Sequence, residues 1–462
     1  MLKDFMEIVA DLHLHSKYSR AVSQQMVLSQ MAKWAKLKGI DLLGTGDFTH
    51  PLWLSEIKNS LEEKDGVLEL KEKKDQGDQK NRGETKFLLT AEISSIYSQG
   101  GKTRKIHNLI IAPSFATAEK ICSELKKRGC NLISDGRPIV GLSAKNILEL
   151  ILGIDDDCLL IPCHIWTPWF SLFGSESGFD SLEECFGNCS RYIYAVETGL
   201  SSDPEMNWQV EDLDNRSIVS FSDAHSPRNL GRESTVLQVQ SDSSNLKINY
   251  RDVISALRGK GESDWEIGYT IEFYPEEGKY HYTGHRNCGV VQSPEETEKR
   301  GTTCPVCGRR LTVGVMERVR KLGRQERVKA KGEVDETGTR WIKGKTEGLE
   351  GKERTPFVKL VPLEEIIAES LGVGAGSKKV EGLYFELIEK LGSEIEILTK
   401  RDLDKIKAIG GEKLAEGILK VRSGDIFIKP GFDGEYGKVA VWGRRGKEDK
   451  ENKEERKQMG LF

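Results

Sequence analysis

The sequence predicts an α/β protein: a (β/α) barrel in the first 240 residues, then a small zinc-binding module and a mainly helical C-terminal domain. Three observations support this prediction. Short apolar runs alternate with helical stretches up to residue 240, which is typical of a parallel barrel or sheet. Six of the eight histidines lie in this part of the chain, mostly at the ends of the apolar runs. Two closely spaced pairs of zinc-type ligands follow between residues 285 and 307.

Eight apolar runs are candidate strands because they are short and alternate with helical segments. Helical segments such as QMAKWAKLKG separate several of them. A charged, glycine-containing stretch at 61–86 has little periodicity, and we expect a surface insertion there. The candidate strands are EIVADLH, IDLLGTGD, KFLLTAEI, RKIHNLIIA, CLLIPCHI, YIYAVET, SIVSFSDAH and TVLQVQ.

The composition argues against a membrane protein. No apolar run approaches the roughly 20 residues of a membrane-spanning helix. The nine cysteines are an odd number without the spacing of a small disulfide scaffold, which favours a reducing compartment. We therefore expect a cytoplasmic protein that does not bind membranes.

Histidines and acidic residues at the strand ends predict a metal centre. Side chains alternate along a strand, so His13 and His15 point the same way, and Asp223 and His225 repeat that spacing. The C-terminal ends of barrel strands open on one face, where residues distant in sequence converge. A mixture of His, Asp and Glu suits zinc, manganese or iron. The remaining candidate ligands are Asp47, His50, Glu92, His107 and His164.

Each of these residues also has an ordinary structural interpretation. A single histidine at a strand end is often only hydrogen-bonded, Asp47 suits a helix cap, and Glu197 suits a salt bridge. The two same-face pairs together with the other strand-end ligands favour a metal cluster over coincidence. His50 and Glu197 are the least secure members.

The same residues resemble the successive motifs of the polymerase-and-histidinol-phosphatase (PHP) superfamily. The matching segments are DLHLHS, GTGDF, AEIS, IHNL, PCHI and SDAH. The resemblance implies a distorted seven-stranded (β/α) barrel whose cluster of two or three divalent ions, zinc, manganese or magnesium, hydrolyses phosphoesters. It also implies that Glu92 bridges the ions. One motif departs from the family, because Asp47 is followed by Phe48 rather than histidine, so Asp47 or the shifted His50 must serve there.

The segment from 281 to 312 predicts one structural zinc ion. His285 and Cys288 form one pair, Cys304 and Cys307 a second, and a glycine follows each pair so that the backbone can turn. Four such ligands suit a closed tetrahedral zinc site. His281 lacks the required spacing. Between the pairs, SPEETEKRG predicts a capped helix.

The barrel and zinc module together resemble the endonuclease Q family, on SDAHSPRNLGRE, SSDPEMNW, GHRNCGVVQSPEE and CPVCGRRLTVGVMERV. The resemblance implies a DNA-repair endonuclease that cuts 5′ of deaminated bases (uracil, hypoxanthine, xanthine) and abasic sites, in single- or double-stranded DNA. In that role Asp223 and Glu92 serve catalysis. Two alternatives are a phosphatase of small phosphoesters and a DNA-binding module with a degenerate barrel.

Several further residues are candidate DNA contacts. Arg232 is a candidate clamp on a phosphate oxygen, with a structural salt bridge as the alternative. If the damaged base is flipped from the stack, aromatic and amide side chains are needed to hold it, although aromatic residues near a barrel rim can also serve plain packing. Basic residues after the zinc module suit phosphates, although a solvated helix face has the same composition. The candidates are Trp166, Trp169, Asn207, Trp208, Arg318, Arg320 and Lys321.

The rest of the chain is predicted in four segments. Residues 241–320 form a connector and the zinc module, 321–360 a basic linker, 361–445 the helical domain, and 446–462 a disordered charged tail. The tail ends in Gln458, Leu461 and Phe462, a pattern similar to peptides that bind the replication sliding clamp.

Overall fold

In the computed structural model, residues 5–71, 85–240, 248–349 and 353–443 are described. All eight candidate strands of the first 240 residues are present. The elements of this region are β1 (Phe5–Asp11), α1 (Leu28–Lys38), β2 (Leu42–Gly44), α2 (Pro51–Ser60), β3 (Leu61–Lys64), β4 (Val67–Leu70), β5 (Lys86–Gln99), β6 (Lys102–Ala112), α3 (Phe115–Lys127), β7 (Ile139–Val140), α4 (Ala144–Ile154), β8 (Leu159–Pro162), α5 (Leu182–Phe186), β9 (Ala195–Glu197), α6 (Pro204–Trp208), β10 (Ser217–Val219) and β11 (Ser234–Gln240).

Seven of these strands form a distorted barrel. β1, β2 and β5 pair in parallel, and β6 pairs antiparallel with both β5 and β8. β9 and β10 form a parallel pair. Main-chain contacts join this pair to its neighbours: Ile165 N–H donates to the Glu197 carbonyl, and His15 N–H donates to the Ala224 carbonyl. β11 lies outside the ring and pairs antiparallel with β1.

The segment expected as a surface insertion is partly structured. β3 and β4 form a hairpin, and β4 pairs with the start of β5. The prediction of a loop is wrong for 61–70 because Leu61, Val67 and Leu68 are buried apolar residues that the surrounding charges mask in the sequence. The rest of the predicted insertion, from 72 to 84, lies outside the described residues.

The connector contains one helix and one strand, and the zinc module is a small hairpin with two helices. β13 pairs antiparallel with β14. The predicted helix between the ligand pairs begins at a capping box formed by Ser293 and Glu296. The elements are α7 (Tyr250–Arg258), β12 (Glu266–Glu272), β13 (Thr283–His285), β14 (Val290–Gln292), α8 (Pro294–Arg300) and α9 (Val315–Leu322).

The predicted basic linker is a three-stranded extension of the main sheet. β15 (Val328–Val334), β16 (Arg340–Thr346) and β17 (Glu353–Lys359) form antiparallel pairs, and β17 pairs in parallel with β12. Phe357 is buried, and its ring packs against Trp208 at 5.6 Å between centroids. The linker prediction is wrong because most charged side chains of these strands face solvent, so the charges hide the strand pattern in the sequence.

The C-terminal region is helical, as predicted, and ends in a short hairpin. A buried ion pair joins it to the barrel, with Lys38 Nζ 2.6 Å from Glu394 Oε2. Among the described residues, no helix combines the length and apolar character needed to cross a membrane. The elements are α10 (Leu363–Leu371), α11 (Lys378–Leu391), α12 (Glu394–Thr399), α13 (Leu403–Gly410), α14 (Glu412–Ser423), β18 (Phe427–Lys429) and β19 (Lys438–Ala440).

Candidate metal centre

The barrel brings most of the predicted ligands to one end. His13 and His15 follow β1, Glu92 lies within β5, and His107 lies within the antiparallel β6. His164 follows β8, while Asp223 and His225 follow β10. His107 therefore reaches the group from the middle of a strand rather than from a strand end.

One half of the centre consists of His13, His15 and Asp223, whose ligand atoms all lie within 4.8 Å of one another. His15 Nε2 is 3.1 Å from Asp223 Oδ1, and His13 Nε2 is 3.8 Å from the same oxygen. His225 lies at the rim, a third exposed, with its ring 4.9 Å from the ring of His15. Its Nδ1 is 2.8 Å from the Asp223 carbonyl, which leaves Nε2 as the available nitrogen.

The other half consists of Glu92, His107 and His164. Glu92 Oε1 is 2.6 Å from His107 Nδ1 and 3.4 Å from His164 Nε2. The second oxygen, Oε2, faces the first half and is 3.2 Å from His15 Nε2. Glu92 thus has one oxygen on each set of histidines, the geometry of a bridging carboxylate.

Three buried atoms at this point favour a cation. Nε2 of His13, Nε2 of His15 and Oδ1 of Asp223 make no well-aligned hydrogen bond to any described residue. Unsatisfied buried polar atoms are costly, so several facing the same space indicate a ligand there. Imidazole nitrogens and carboxylate oxygens together form a donor set for divalent transition metals. The residues therefore fit the divalent ions that the sequence predicts.

Two further carboxylates orient the histidines from behind. Both oxygens of Glu197 lie near His13 Nδ1, at 2.8 and 3.0 Å, and one also accepts from the His164 amide. Asp47 Oδ1 accepts from His15 Nδ1 at 3.1 Å, and its other oxygen accepts from Ser16 and Ser19. Such contacts fix the tautomer and leave Nε2 for the metal. Asp47, predicted as a ligand, therefore contacts a candidate ligand, His15, and does not itself face the candidate metal position.

Backbone strain is concentrated at these residues. Asp47, His164 and Asp223 have φ values of +50°, +30° and +46°. Left-handed backbone is unfavourable for side chains of this size and persists where surrounding contacts enforce it. The strain is compatible with side chains being aimed at a common point.

The charges of the cluster compensate one another. Burial opposes protonation of His13 and His15, but the carboxylates of Glu197 and Asp47 raise the pKa of both imidazoles well above the usual range. Burial lowers the pKa of His107 to about 4, against the effect of Glu92. The imidazoles in turn lower the pKa of Glu92 well below its ordinary value although burial raises it. Divalent ions would replace the protons that this array holds.

His50 lies outside the cluster. Its Nε2 is 3.2 Å from the Ile133 carbonyl, and its ring stacks on Tyr18 at 4.4 Å between centroids. It occupies the N-cap position of α2, where Pro51 begins the helix. The assignment of His50 as a ligand is therefore incorrect for this arrangement, because the helix start directs the imidazole toward the neighbouring loop.

Two arginines flank the centre, and the sequence analysis identified only one. Arg232 donates to the carbonyls of Ser222 and Asp223 at 2.9 and 3.4 Å, so it supports the ligand loop rather than projecting as a free phosphate clamp. Arg137, which was missed, lies 3.1 Å from Glu92 Oε2 and is about a quarter exposed. It follows a glycine in a loop outside the recognised motifs, so only the fold reveals it.

Most of the predicted base-reading residues are in the core. Trp166 and Asn207 are fully buried and hydrogen-bond to each other at 2.8 Å, and Trp208 is also buried. These three cannot contact a base, because Trp166 folds inward after His164 and the end of α6 buries Asn207 and Trp208. Trp169 is exposed and packs edge-on against Tyr280.

The predicted basic contacts divide in the same way. Arg318 is buried and donates to the carbonyls of Phe173 and Phe179, so its role is structural. Arg320 is exposed but paired with two glutamates of α8, while Lys321 lies on the surface. The predicted clamp-binding residues Gln458, Leu461 and Phe462 lie outside the described residues.

The structure brings the four predicted zinc ligands together. Ligand atoms of His285, Cys288, Cys304 and Cys307 lie within 4.8 Å of one another. The glycines that follow each pair, Gly289 and Gly308, have φ of +62° and +73°, as the predicted turns require. Desolvation opposes ionisation of Cys304, but backbone amides of Cys307 and Val306 lower its pKa to about 6. This thiol is therefore prepared to bind zinc as a thiolate.

Comparison with known proteins agrees with this architecture. Residues 362–425 match the family model of the MJ0043 C-terminal domain. Over 296 residues the chain is 34% identical to protein MJ0043 of Methanocaldococcus jannaschii, an alignment that covers 63% of this chain and 33% of that relative. The chain thus spans about a third of the length of this curated relative.

Two solved structures match nearly the whole chain. The lesion-specific endonuclease PfuEndoQ from Pyrococcus furiosus has a TM-score of 0.76 and 30% identity, over 97% of this chain and 99% of its own. An endonuclease Q in complex with a 27-mer duplex substrate with an abasic lesion at the active site has a TM-score of 0.76 and 31% identity, over 95% and 97%. The chain belongs to the endonuclease Q family.

Proposed function

We propose that this chain is a metal-dependent DNA endonuclease that hydrolyses the phosphodiester on the 5′ side of deaminated bases and abasic sites. The observation that carries the proposal is the cluster bridged by Glu92 at the open end of the barrel. It occurs in a chain that is similar over nearly its full length to an endonuclease Q bound to a duplex with an abasic lesion at the active site.

His13, His15 and Asp223 would hold one divalent ion, and His107 and His164 a second, with Glu92 shared between them. When bound, such ions lower the pKa of water and stabilise charge on phosphoryl oxygens. Glu197 orients His13 and Asp47 orients His15, so that Nε2 of each histidine would face the ions. Zinc, manganese and magnesium all remain candidates, because the donor set mixes nitrogen and oxygen.

Arg137 is the residue best placed to bind the phosphate that is cut. Its guanidinium stays on Glu92 through Nη1 while part of the side chain faces solvent. An arginine can donate from several N–H groups at once and so can bind a phosphate oxygen without leaving Glu92. Arg232 fulfils a positioning role, because it donates to the carbonyls of Ser222 and Asp223 and so holds the backbone that carries the Asp223 side chain.

Uracil, hypoxanthine, xanthine and the abasic site are the proposed lesions, since the sequence resembles a family that cuts beside them. DNA phosphates would be held by exposed basic residues after the zinc module, such as Lys321.

The test is cleavage of labelled single strands and duplexes that contain uracil, hypoxanthine, an abasic site or no lesion, with manganese, magnesium or zinc supplied. We expect one cut, 5′ of the lesion, with 3′-hydroxyl and 5′-phosphate ends. Asp223→Asn should abolish it. Asp156→Asn is the matched control, because Asp156 is exposed on the loop that enters β8, at the opposite end of the barrel. No cutting of any substrate by the wild type would overturn the proposal and favour a DNA-binding module.

The sequence also leads us to propose the replication sliding clamp as a partner through Gln458, Leu461 and Phe462. Deletion of residues 458–462 should abolish retention on immobilised clamp and leave cleavage of short duplexes unchanged. Equal retention of both forms would contradict this assignment.

A further inference from the structure

We propose that Ile133 is a wedge that enters the base stack beside the lesion, and that His50 is the latch that holds its loop against the metal centre. The proposal rests on the proposed endonuclease function and assigns a substrate-distorting role that no metal ligand can supply. Enzymes that act on a base within a duplex must extrude it, and an inserted apolar side chain compensates the lost stacking.

Ile133 is strongly exposed to solvent. Its side chain is 64% exposed although it is large, branched and apolar. Val306, Val334 and Tyr436 are also strongly exposed, but they belong to the zinc module, β15 and the C-terminal hairpin, and the exposed Ile139 lies in β7. Ile133 instead lies in the loop between α3 and β7, and this loop ends at the metal centre. An exposed apolar side chain next to an active site indicates a surface that is covered when substrate binds.

The loop that carries Ile133 is anchored beside the metal centre. Arg137, four residues after Ile133, contacts Glu92, and the Gly136 amide donates to the Tyr18 carbonyl at 3.0 Å. Asp135 Oδ1 accepts from the amides of Arg20 and Arg137. A Cβ at Gly136 would overlap side-chain oxygens of Asp47 and Ser19, so the loop backbone lies directly against the residues that orient His15.

His50 holds the backbone of this loop. Its Nε2 donates to the carbonyl of Ile133 itself, at 3.2 Å, and the imidazole is buried against Tyr18. Tyr18 follows the two motif histidines and is held in turn by Glu56 at 2.6 Å. The backbone of Ile133 is therefore fixed to the loop that carries His13 and His15, while its side chain remains in solvent. A wedge needs this combination of a rigid base and an exposed apolar tip.

The occupant is a base stack rather than a protein partner. Arg137 follows Ile133 by four residues, and the exposed Arg20, from the loop after His15, reaches Asp135 with Nε at 3.4 Å, so cationic side chains lie in or beside the loop that carries the apolar tip. A polyanion with apolar base faces matches this combination of charges and surface. Binding of another protein at this loop is an alternative outcome that the test separates.

The experiment compares Ile133→Ser with Ile139→Ser as the matched control, because Ile139 has the same side chain, is 58% exposed and lies six residues further on in β7. Substrates are a duplex with uracil opposite guanine, the same strand alone, and a duplex in which uracil faces a one-nucleotide gap. Single-turnover cleavage is measured together with fluorescence of 2-aminopurine placed next to the uracil.

We expect Ile133→Ser to slow cleavage of the paired uracil by about tenfold or more and to suppress the fluorescence rise on binding. Single-strand and gap substrates should be cut at the wild-type rate, and Ile133→Leu should restore cleavage of the paired uracil. His50→Ala should reproduce this selectivity with unchanged metal content, and His50→Gln, which keeps a donor, should partly rescue it.

Equal loss on paired and unpaired substrates, wild-type behaviour on all three, or the same selectivity in Ile139→Ser would each overturn the wedge. Loss of metal from His50→Ala would return His50 to the ligand set and refute the latch. If the wild type cuts no substrate, the proposed function fails instead. The 2-aminopurine signal on binding then still tests the wedge.

Discussion

Replacement of Glu197 by glutamine should weaken metal binding without disturbing the fold. The carboxylate is buried and accepts three times: from His13 Nδ1 with both oxygens and from the His164 amide with one. Glutamine has the same shape but only one acceptor oxygen. If its NH2 replaces Oε2, two donors face each other at His164. If it replaces Oε1, the amide faces His13 Nδ1 and favours the tautomer whose proton lies on Nε2, the metal-binding nitrogen.

The expected loss is about 10- to 100-fold in metal affinity, the usual effect of removing a group that supports a ligand histidine. Loss of the carboxylate charge adds to this effect, because a neutral amide no longer raises the basicity of His13. The zinc module is remote from Glu197, so its ion should remain bound and provide an internal standard.

Metal content by mass spectrometry and manganese affinity by competition titration are the assays. Glu272→Gln is the matched control, because Glu272 is another fully buried glutamate whose pKa burial raises to about 8, so that near neutral pH glutamine replaces a largely protonated carboxyl. Manganese affinity equal to that of Glu272→Gln, with an intact circular dichroism spectrum, would refute the role assigned to Glu197.

Three further predictions follow from the same contacts. Cys304→Ser should lose one zinc and lower the melting temperature while the barrel keeps its metals, because structural zinc binding contributes directly to folding; zinc content and calorimetry check this. The affinity of the barrel for manganese should fall as the pH falls. Carboxylates raise the pKa of His13 and His15 against the effect of burial, so protons compete with the metal for these imidazoles up to a higher pH than usual. Titration in two buffers of different ionisation enthalpy should detect the protons released when manganese binds. The difference in melting temperature between Glu272→Gln and the wild type should increase in favour of the variant as the pH rises from about 5 to about 9. Burial raises the folded-state pKa of Glu272, so the stability that its protonated carboxyl contributes to the wild type is lost over this range; a constant difference would contradict this.

The grouping of the histidines and carboxylates at one end of the barrel was the most predictable part of the molecule. Alternation in the extended segment directly after β1 places His13 and His15 on one face, and barrel geometry brings distant strand ends together, so spacing alone is informative. The short spacing within each pair of zinc ligands is an equally local signal. Neither inference needs knowledge of how the side chains pack.

Features that depend on long-range contacts were missed or misassigned. The hydrogen bond between Trp166 and Asn207 spans 41 residues, and without it both residues resemble base readers. His50 resembles a shifted ligand until Ile133 is found 83 residues away. The strands β15 to β17 are polar enough to resemble a linker, and only their pairing with β12 shows them to be part of the sheet.

The position of Glu92 has a consequence for how variants of this centre are interpreted. Because each oxygen faces a different pair of histidines, removing Glu92 disables both halves together and cannot reveal how many ions the cluster needs. Single substitutions of His15 and His107 separate the halves, since each contacts a different oxygen of the shared carboxylate. Metal counts on these two variants, rather than on a glutamate variant, would give the stoichiometry of the centre.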